Sequence, residues 1–150
     1  MILDVCVDRV IAAPPEKIAA YAMDWRTHPE WSHCIRSVEL TIPGPDGVFG
    51  VGSEITRAAQ FLGKTFEYVL RVVGYDPPTE LDMKSVAGPM KLRYTYRFEE
   101  HPDGTRTSIR VRADAGSFYR LSMPLLTAQL RSALRGDLLG LSQYMTAYDR

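Results

Sequence analysis

SFYRLSMPLLTAQLRSALRGDLLGLSQYMTAYDR, residues 117–150, is the stretch that decides how this chain folds. Leu126, Leu130, Leu134, Leu138, Leu141, Met145 and Tyr148 recur at steps of three and four, while Arg131, Arg135, Gln143 and Thr146 fall off that stripe. The spacing predicts one long amphipathic helix from Ser117 to Arg150. Such a helix is not stable alone in water and needs an apolar surface about as long as itself.

Working back from it, the sequence provides that surface as strands. Thr107, Ile109, Val111 and Ala113 alternate with Arg106, Ser108, Arg110 and Arg112. A Pro102-Asp103-Gly104 turn joins them to Met90, Leu92, Tyr94, Tyr96 and Phe98, set against Lys91, Arg93, Thr95 and Arg97. Further upstream, Leu81, Met83 and Ser85 form one period-two run. Phe66, Tyr68, Leu70 and Val72 form another, which Asp76-Pro77-Pro78 ends because proline cannot continue a ladder. Ile55, Arg57, Ala59 and Phe61 share a face, as do Val38, Leu40 and Ile42, and Val5, Val7 and Ile11. Arg9 shares the parity of that last set, which puts it at a bulge or at a cavity mouth. Pro14-Pro15-Glu16 opens a short helix. Asp24 to Trp31, with Pro29 inside it, is a break followed by a second short helix or turn. Residues 43–52, with two prolines and four glycines, are a loop. Apolar-in, polar-out alternation implies an antiparallel sheet wetted on one face, whose dry face meets the terminal helix.

With 150 residues the chain reads as a single domain, 1–150, able to bury about 70% of its unfolded surface. Eighteen basic residues balance eighteen acidic ones, which argues against nucleic acid or an anionic membrane as the main partner. Cys6 and Cys34 form no CxxC pair, and there is no signal-peptide pattern and no 18-residue apolar run. These features lead us to expect a soluble, reducing, cytoplasmic setting with no stable membrane insertion.

The order of elements, together with Val7-Asp8-Arg9-Val10-Ile11-Ala12-Ala13-Pro14-Pro15-Glu16, Asp24, Pro29-x-Trp31, Tyr75-Asp76-Pro77-Pro78, Gly88-Pro89 and the terminal helix, resembles the START/Bet v 1-like (SRPBCC) superfamily of polyketide cyclase/dehydrase and lipid-transport type. The resemblance spans nearly the whole chain. It implies an α+β helix-grip fold: a seven-stranded antiparallel sheet curved around a long C-terminal helix, with two short helices after the first strand. It also implies a cavity between sheet and helix. Separately, no cofactor or metal is expected. Pairing of the first strand with the last would set Asp4 and Asp8 beside the arginines of the outer face.

The dry faces name the expected lining: Phe66, Tyr68, Leu70, Met83, Met90, Leu92, Tyr94, Tyr96, Ile109 and Val111 from the strands. Met123, Leu126, Leu130 and Leu134 would come from the helix, and Trp31 from the elbow. Each residue reads equally well as plain core. A void of ~300 Å³ would cost ~7 kcal/mol at ~24 cal/mol per Å³, against a net stability of ~5–15 kcal/mol. The chamber is therefore expected to be occupied, partly wet or collapsible. Tyr68, Tyr94 and Tyr96 carry hydroxyls that need partners when buried. Arg57 either projects inward, where it needs a carboxylate, carbonyls or an anionic ligand group, or is turned outward by a bulge. Arg57, Tyr68, Tyr94 and Tyr96 are the candidate catalytic groups if there is chemistry.

Other motifs carry less. His28, His33 and Cys34 fit no zinc spacing and read as surface or elbow residues, with His101 far away. Gly63-Lys64-Thr65 lacks the earlier glycine of a phosphate loop. No nucleophile–base set can be assembled. The sequence thus points first to a protein that binds a small hydrophobic or aromatic molecule. The alternative is a polyketide aromatase/cyclase-type enzyme that orients a poly-carbonyl substrate with Tyr/Arg acid–base assistance. A third reading is an interaction module using the basic outer face of Lys91, Arg93, Arg97, Arg106, Arg110 and Arg112.

Overall fold

Alternation becomes pairing register across most of the sheet, with shifts between Ile35 and Ser37, Leu40 and Ile42, Val69 and Leu70, and Val72 and Gly74. The computed structural model describes residues 2–114 and 116–147. Its strands are β1 (Leu3–Ile11), β2 (Ile35–Ile42), β3 (Glu54–Phe61), β4 (Lys64–Asp76), β5 (Glu80–Ala87), β6 (Leu92–His101) and β7 (Gly104–Ala113). They pair antiparallel in the order β1-β7-β6-β5-β4-β3-β2 and form one curved sheet. After β1 come α1 (Pro15–Ala22), a 3-10 turn (Trp25–Thr27) and α2 (His28–Trp31). After β7 come α3 (Gly116–Tyr119) and α4 (Met123–Ala147).

The terminal segment differs from the single helix expected from Ser117. Arg120 adopts φ 52°, a left-handed conformation that ends α3. Helix α4 then starts afresh at Ser122, whose carbonyl accepts from the Leu126 amide and whose hydroxyl accepts from the Leu125 amide, with Pro124 in the first turn. From there the stripe holds: Leu126, Leu134, Leu138, Leu141 and Met145 are buried, and Leu130 is partly so. Tyr148 lies outside the described residues. Met90 precedes β6, because Gly88 turns the chain at φ 135°.

Helix α4 packs chiefly along β1 and crosses α2. A Cβ at Gly140 would come 2.7 Å from the Trp31 carbonyl oxygen, so glycine sets how closely α4 approaches α2. Because α4 leans toward β1, the concave middle of the sheet is filled by the aromatic side chains of β4 and β6 around Arg57 of β3.

Register also settles the two arginines of inward parity. The β1–β7 register runs unbroken through Arg9↔Thr107, so no bulge turns Arg9, which is exposed near the end of the strand and does not line the cavity under α4. The β3–β4 register is regular through Arg57↔Tyr68, so Arg57 keeps the inward face of Ile55 and Ala59 and is fully buried.

On the outer face the charges form a ladder. Arg110 pairs with Asp4 at 2.6 Å, Arg93 with Asp82 at 2.7 Å and Arg97 with Glu80 at 2.8 Å. Solvent-exposed pairs of this kind add little to stability, but they neutralise much of the basic patch. Among the described residues no helix is long and apolar enough to cross a membrane.

Candidate functional site

Between α4 and the sheet lies a cavity of about 60 Å³. Its floor is Phe66 and Tyr68 of β4, Leu92 and Tyr94 of β6, and Val111 of β7. Its roof is Leu126, Leu130 and Leu134 of α4, and Met90 closes one side. These nine residues of the expected lining are brought together. The others lie elsewhere: Leu70, Met83 and Ile109 are fully packed core, and Met123 is partly buried at the start of α4. Trp31 packs edge-on against His28 and Tyr96. Leu3, Ile35, Ala59, Phe61, Ala113, Tyr119 and Ala133 complete the apolar wall. A wider groove of about 660 Å³ between α1 and the β4–β5 turn is a concavity of the outer surface.

Tyr94 lies deep in the molecule yet keeps accessible surface, because it faces the cavity. Its ring stacks parallel to that of Tyr68, 6.5 Å between centroids, and β6 places Tyr96 two residues on. Behind these rings sits Arg57. Its guanidinium carbon is 4.4 Å from the Tyr94 centroid and 5.3 Å from that of Tyr68. Nη1 donates to the Tyr96 hydroxyl at 3.2 Å and faces His28 Nδ1 at 3.4 Å.

His28, on α2, is fully buried and not a surface residue. Its Nε2 lies 3.2 Å from the Ala22 carbonyl, which can only accept. The proton is therefore on Nε2, and Nδ1 offers a lone pair to Arg57. Burial and the adjacent guanidinium push the imidazole down to about 3, so it stays neutral. Burial raises the Tyr94 and Tyr96 phenols. Arg57 is thus a buried cation held by neutral groups.

The cavity has a second polar pole that the sequence reading missed. Asp137 of α4 is 6% exposed and lines the cavity; it accepts from the Ser32 hydroxyl at 2.8 Å and from the His33 amide at 3.2 Å. Burial raises its carboxyl to about 6, because desolvation outweighs those two hydrogen bonds. Its position between Leu134 and Leu138, on the apolar stripe, was the available signal. Ser32 and Cys34 also line this side, and burial raises the Cys34 thiol, which argues against a nucleophile there.

A curved antiparallel sheet gripping a terminal helix over an apolar cavity defines the helix-grip class. The sequence matches the family described as polyketide cyclase / dehydrase and lipid transport over residues 3–146. The chain belongs to that family. Among solved structures it is similar to TTHA0849 from Thermus thermophilus, with TM-score 0.80 and 19% identity, covering 98% of this chain and 99% of the other. It is also similar to the Zhui aromatase/cyclase from a Streptomyces species, with TM-score 0.79 and 14% identity, covering 100% and 97%. A START superfamily protein from Mycobacterium smegmatis has TM-score 0.73 and 15% identity, covering 98% of each chain. At these identities the likeness is one of fold. A comparison with curated proteins returns no match.

Proposed function

We propose that this protein binds a small hydrophobic or aromatic molecule in the grip between α4 and the sheet. The observation that carries this reading is the apolar cavity itself, walled by aromatic and aliphatic side chains with few polar groups, the usual composition of small-ligand sites. Removing apolar ligand surface from water supplies affinity, and the Tyr68–Tyr94–Arg57 cluster with Asp137 fixes orientation. At about 60 Å³ the cavity holds a few water molecules, so uptake requires the wall to move outward.

The test is native mass spectrometry of freshly purified protein, followed by the same measurement on Ala133→Phe, which fills the chamber from its roof. A small molecule that co-purifies with the first and is missing from the folded variant supports the site. Equal occupancy of both would move binding elsewhere.

One observation favours a catalytic reading of the same site. A carboxyl raised to about 6 on the cavity wall, beside tyrosines, suits proton exchange near neutral pH. A polyketide aromatase/cyclase-type reaction would use it together with Tyr94 or Arg57 to polarise a carbonyl and assist loss of water. Turnover of a linear poly-carbonyl mimic that disappears in Tyr94→Phe would promote this reading; binding without turnover would leave the first.

A further inference from the structure

Four arginines among the described residues hold an acid with the same edge of the guanidinium. Nε and Nη2 of Arg71 converge on Oε2 of Glu54 at 3.0 and 2.8 Å, and those of Arg93 reach Oδ1 and Oδ2 of Asp82 at 3.1 and 2.7 Å. Those of Arg110 reach Asp4 at 2.9 and 2.6 Å, and those of Arg26 reach Asp24 at 2.9 and 2.7 Å. The edge presents two parallel N–H groups, and their spacing suits carboxylate oxygens.

Arg57 has the same edge in the interior. There Nε and Nη2 are both buried, with no hydrogen-bond partner among the described residues. The remaining nitrogen, Nη1, is occupied by Tyr96 and His28. No described residue forms a salt bridge with Arg57, and the interior carboxylate, Asp137, is engaged by Ser32 and His33 on the α2 side. Buried polar groups are nearly always satisfied, and a buried charged fork that no protein group meets is a costly feature to retain without a use.

Resting on the cavity-binding reading above, we propose that the unfilled Nε/Nη2 fork of Arg57 is the anion subsite of the cavity and that the ligand is a monocarboxylic acid with an apolar body. The carboxylate takes the fork side-on, as Asp82 takes Arg93 with its two oxygens, and the body lies among Phe66, Leu126 and Leu134. Tyr68 and Tyr94 line the cavity on one side and pack on the guanidinium on the other, so their rings turn to admit the carboxylate. One fork and one cation match a single negative charge. A phosphate dianion would bring a second charge that nothing there compensates, and a dicarboxylate would add a second anion to a cavity that already holds Asp137.

Titration calorimetry near neutral pH with matched pairs tests this: cinnamate against cinnamamide, and octanoate against octanamide. The acid of at least one pair is expected to bind about tenfold or more tighter than its amide. Arg57→Met should remove that preference, bringing the acid-to-amide affinity ratio close to one. Arg57→Lys, which keeps the charge but loses the fork, should cut the ratio several-fold and decides the matter if the methionine variant does not fold. Equal affinities for acid and amide in the unsubstituted protein would overturn the inference and leave the cavity reading intact. An acid preference that survives in Arg57→Met would place the anion elsewhere and overturn the assignment. If no member of either pair binds, the cavity reading fails and this inference fails with it.

Discussion

Asp137 ties α4 to the α2–β2 junction through Ser32 and His33, and it does so as a carboxyl that burial holds at about 6 instead of its ordinary 3.8. The sign follows from that direction. The folded state binds the proton more tightly than the unfolded chain, so this group's stabilising contribution is complete below about pH 4 and is lost as pH rises toward 6. A shift of this size corresponds to a loss on the order of 3 kcal/mol across that window. Asp4, Asp24 and Asp82 work in the opposite sense, because arginine partners lower their carboxyls and their stabilisation is lost only as pH falls below the ordinary carboxylate range. For Asp82 burial acts against the Arg93 and Thr95 hydrogen bonds, and the bonds win. Urea unfolding midpoints compared between the unsubstituted protein and Asp137→Asn should therefore diverge as pH rises from 4 to 6, with the asparagine variant holding its stability. Parallel curves across that window would mean that the carboxyl is not raised. Asp137 also shows where reading a stripe by its leucines falls short. The one acid standing among them is the residue with cavity chemistry.

At the scale of elements, the strands were legible because a period of two leaves few alternatives once one face is dry, and even Arg57 kept its place in the register. The break at residues 120–122 was passed over although Ser122 with Pro124 in the first turn marks a helix start, since apolar spacing runs on from Leu126 through Met123 to Tyr119. That break leaves α3 as a four-residue turn, too short to hold itself. Its anchorage comes from outside. Lys64 Nζ donates to the Phe118 carbonyl at 2.7 Å and lies 4.5 Å from the Phe118 ring centroid, while Phe118 packs edge-on against Phe66, a cavity residue. A short element held by a few contacts over a cavity wall is where local opening is cheapest. In Lys64→Ala, amide exchange over residues 118–122 should accelerate several-fold, and a bound ligand should associate and dissociate faster. Global stability should change by less than about 1 kcal/mol, because the lost contacts are exposed. Unchanged exchange over this segment would show that Lys64 is not what holds α3 down.

For the molecule as a whole, the size of the chamber is what periodicity could not supply. It depends on how far α4 stands above the sheet, which Gly140 helps to set against Trp31, and on how the aromatic rings fill the gap. The energetic scale accounts for a small chamber. A cavity of about 60 Å³ costs ~1.4 kcal/mol at ~24 cal/mol per Å³, whereas ~300 Å³ would cost ~7 kcal/mol, a large part of a domain's net stability. The fold therefore rests nearly closed, and a ligand must provide the free energy of opening out of its own burial, which weakens its apparent affinity. Enlarging the chamber in advance should reverse that balance. Leu126 is fully buried and lines the roof, so Leu126→Ala should lose about 2–5 kcal/mol of stability in urea. The same variant should bind a small apolar probe such as benzene, and its melting temperature should rise with benzene more than that of the unsubstituted protein. A stability loss without this gain would mean that the wall collapses into the space left by Leu126, and that the chamber is not set by the side chains that line it.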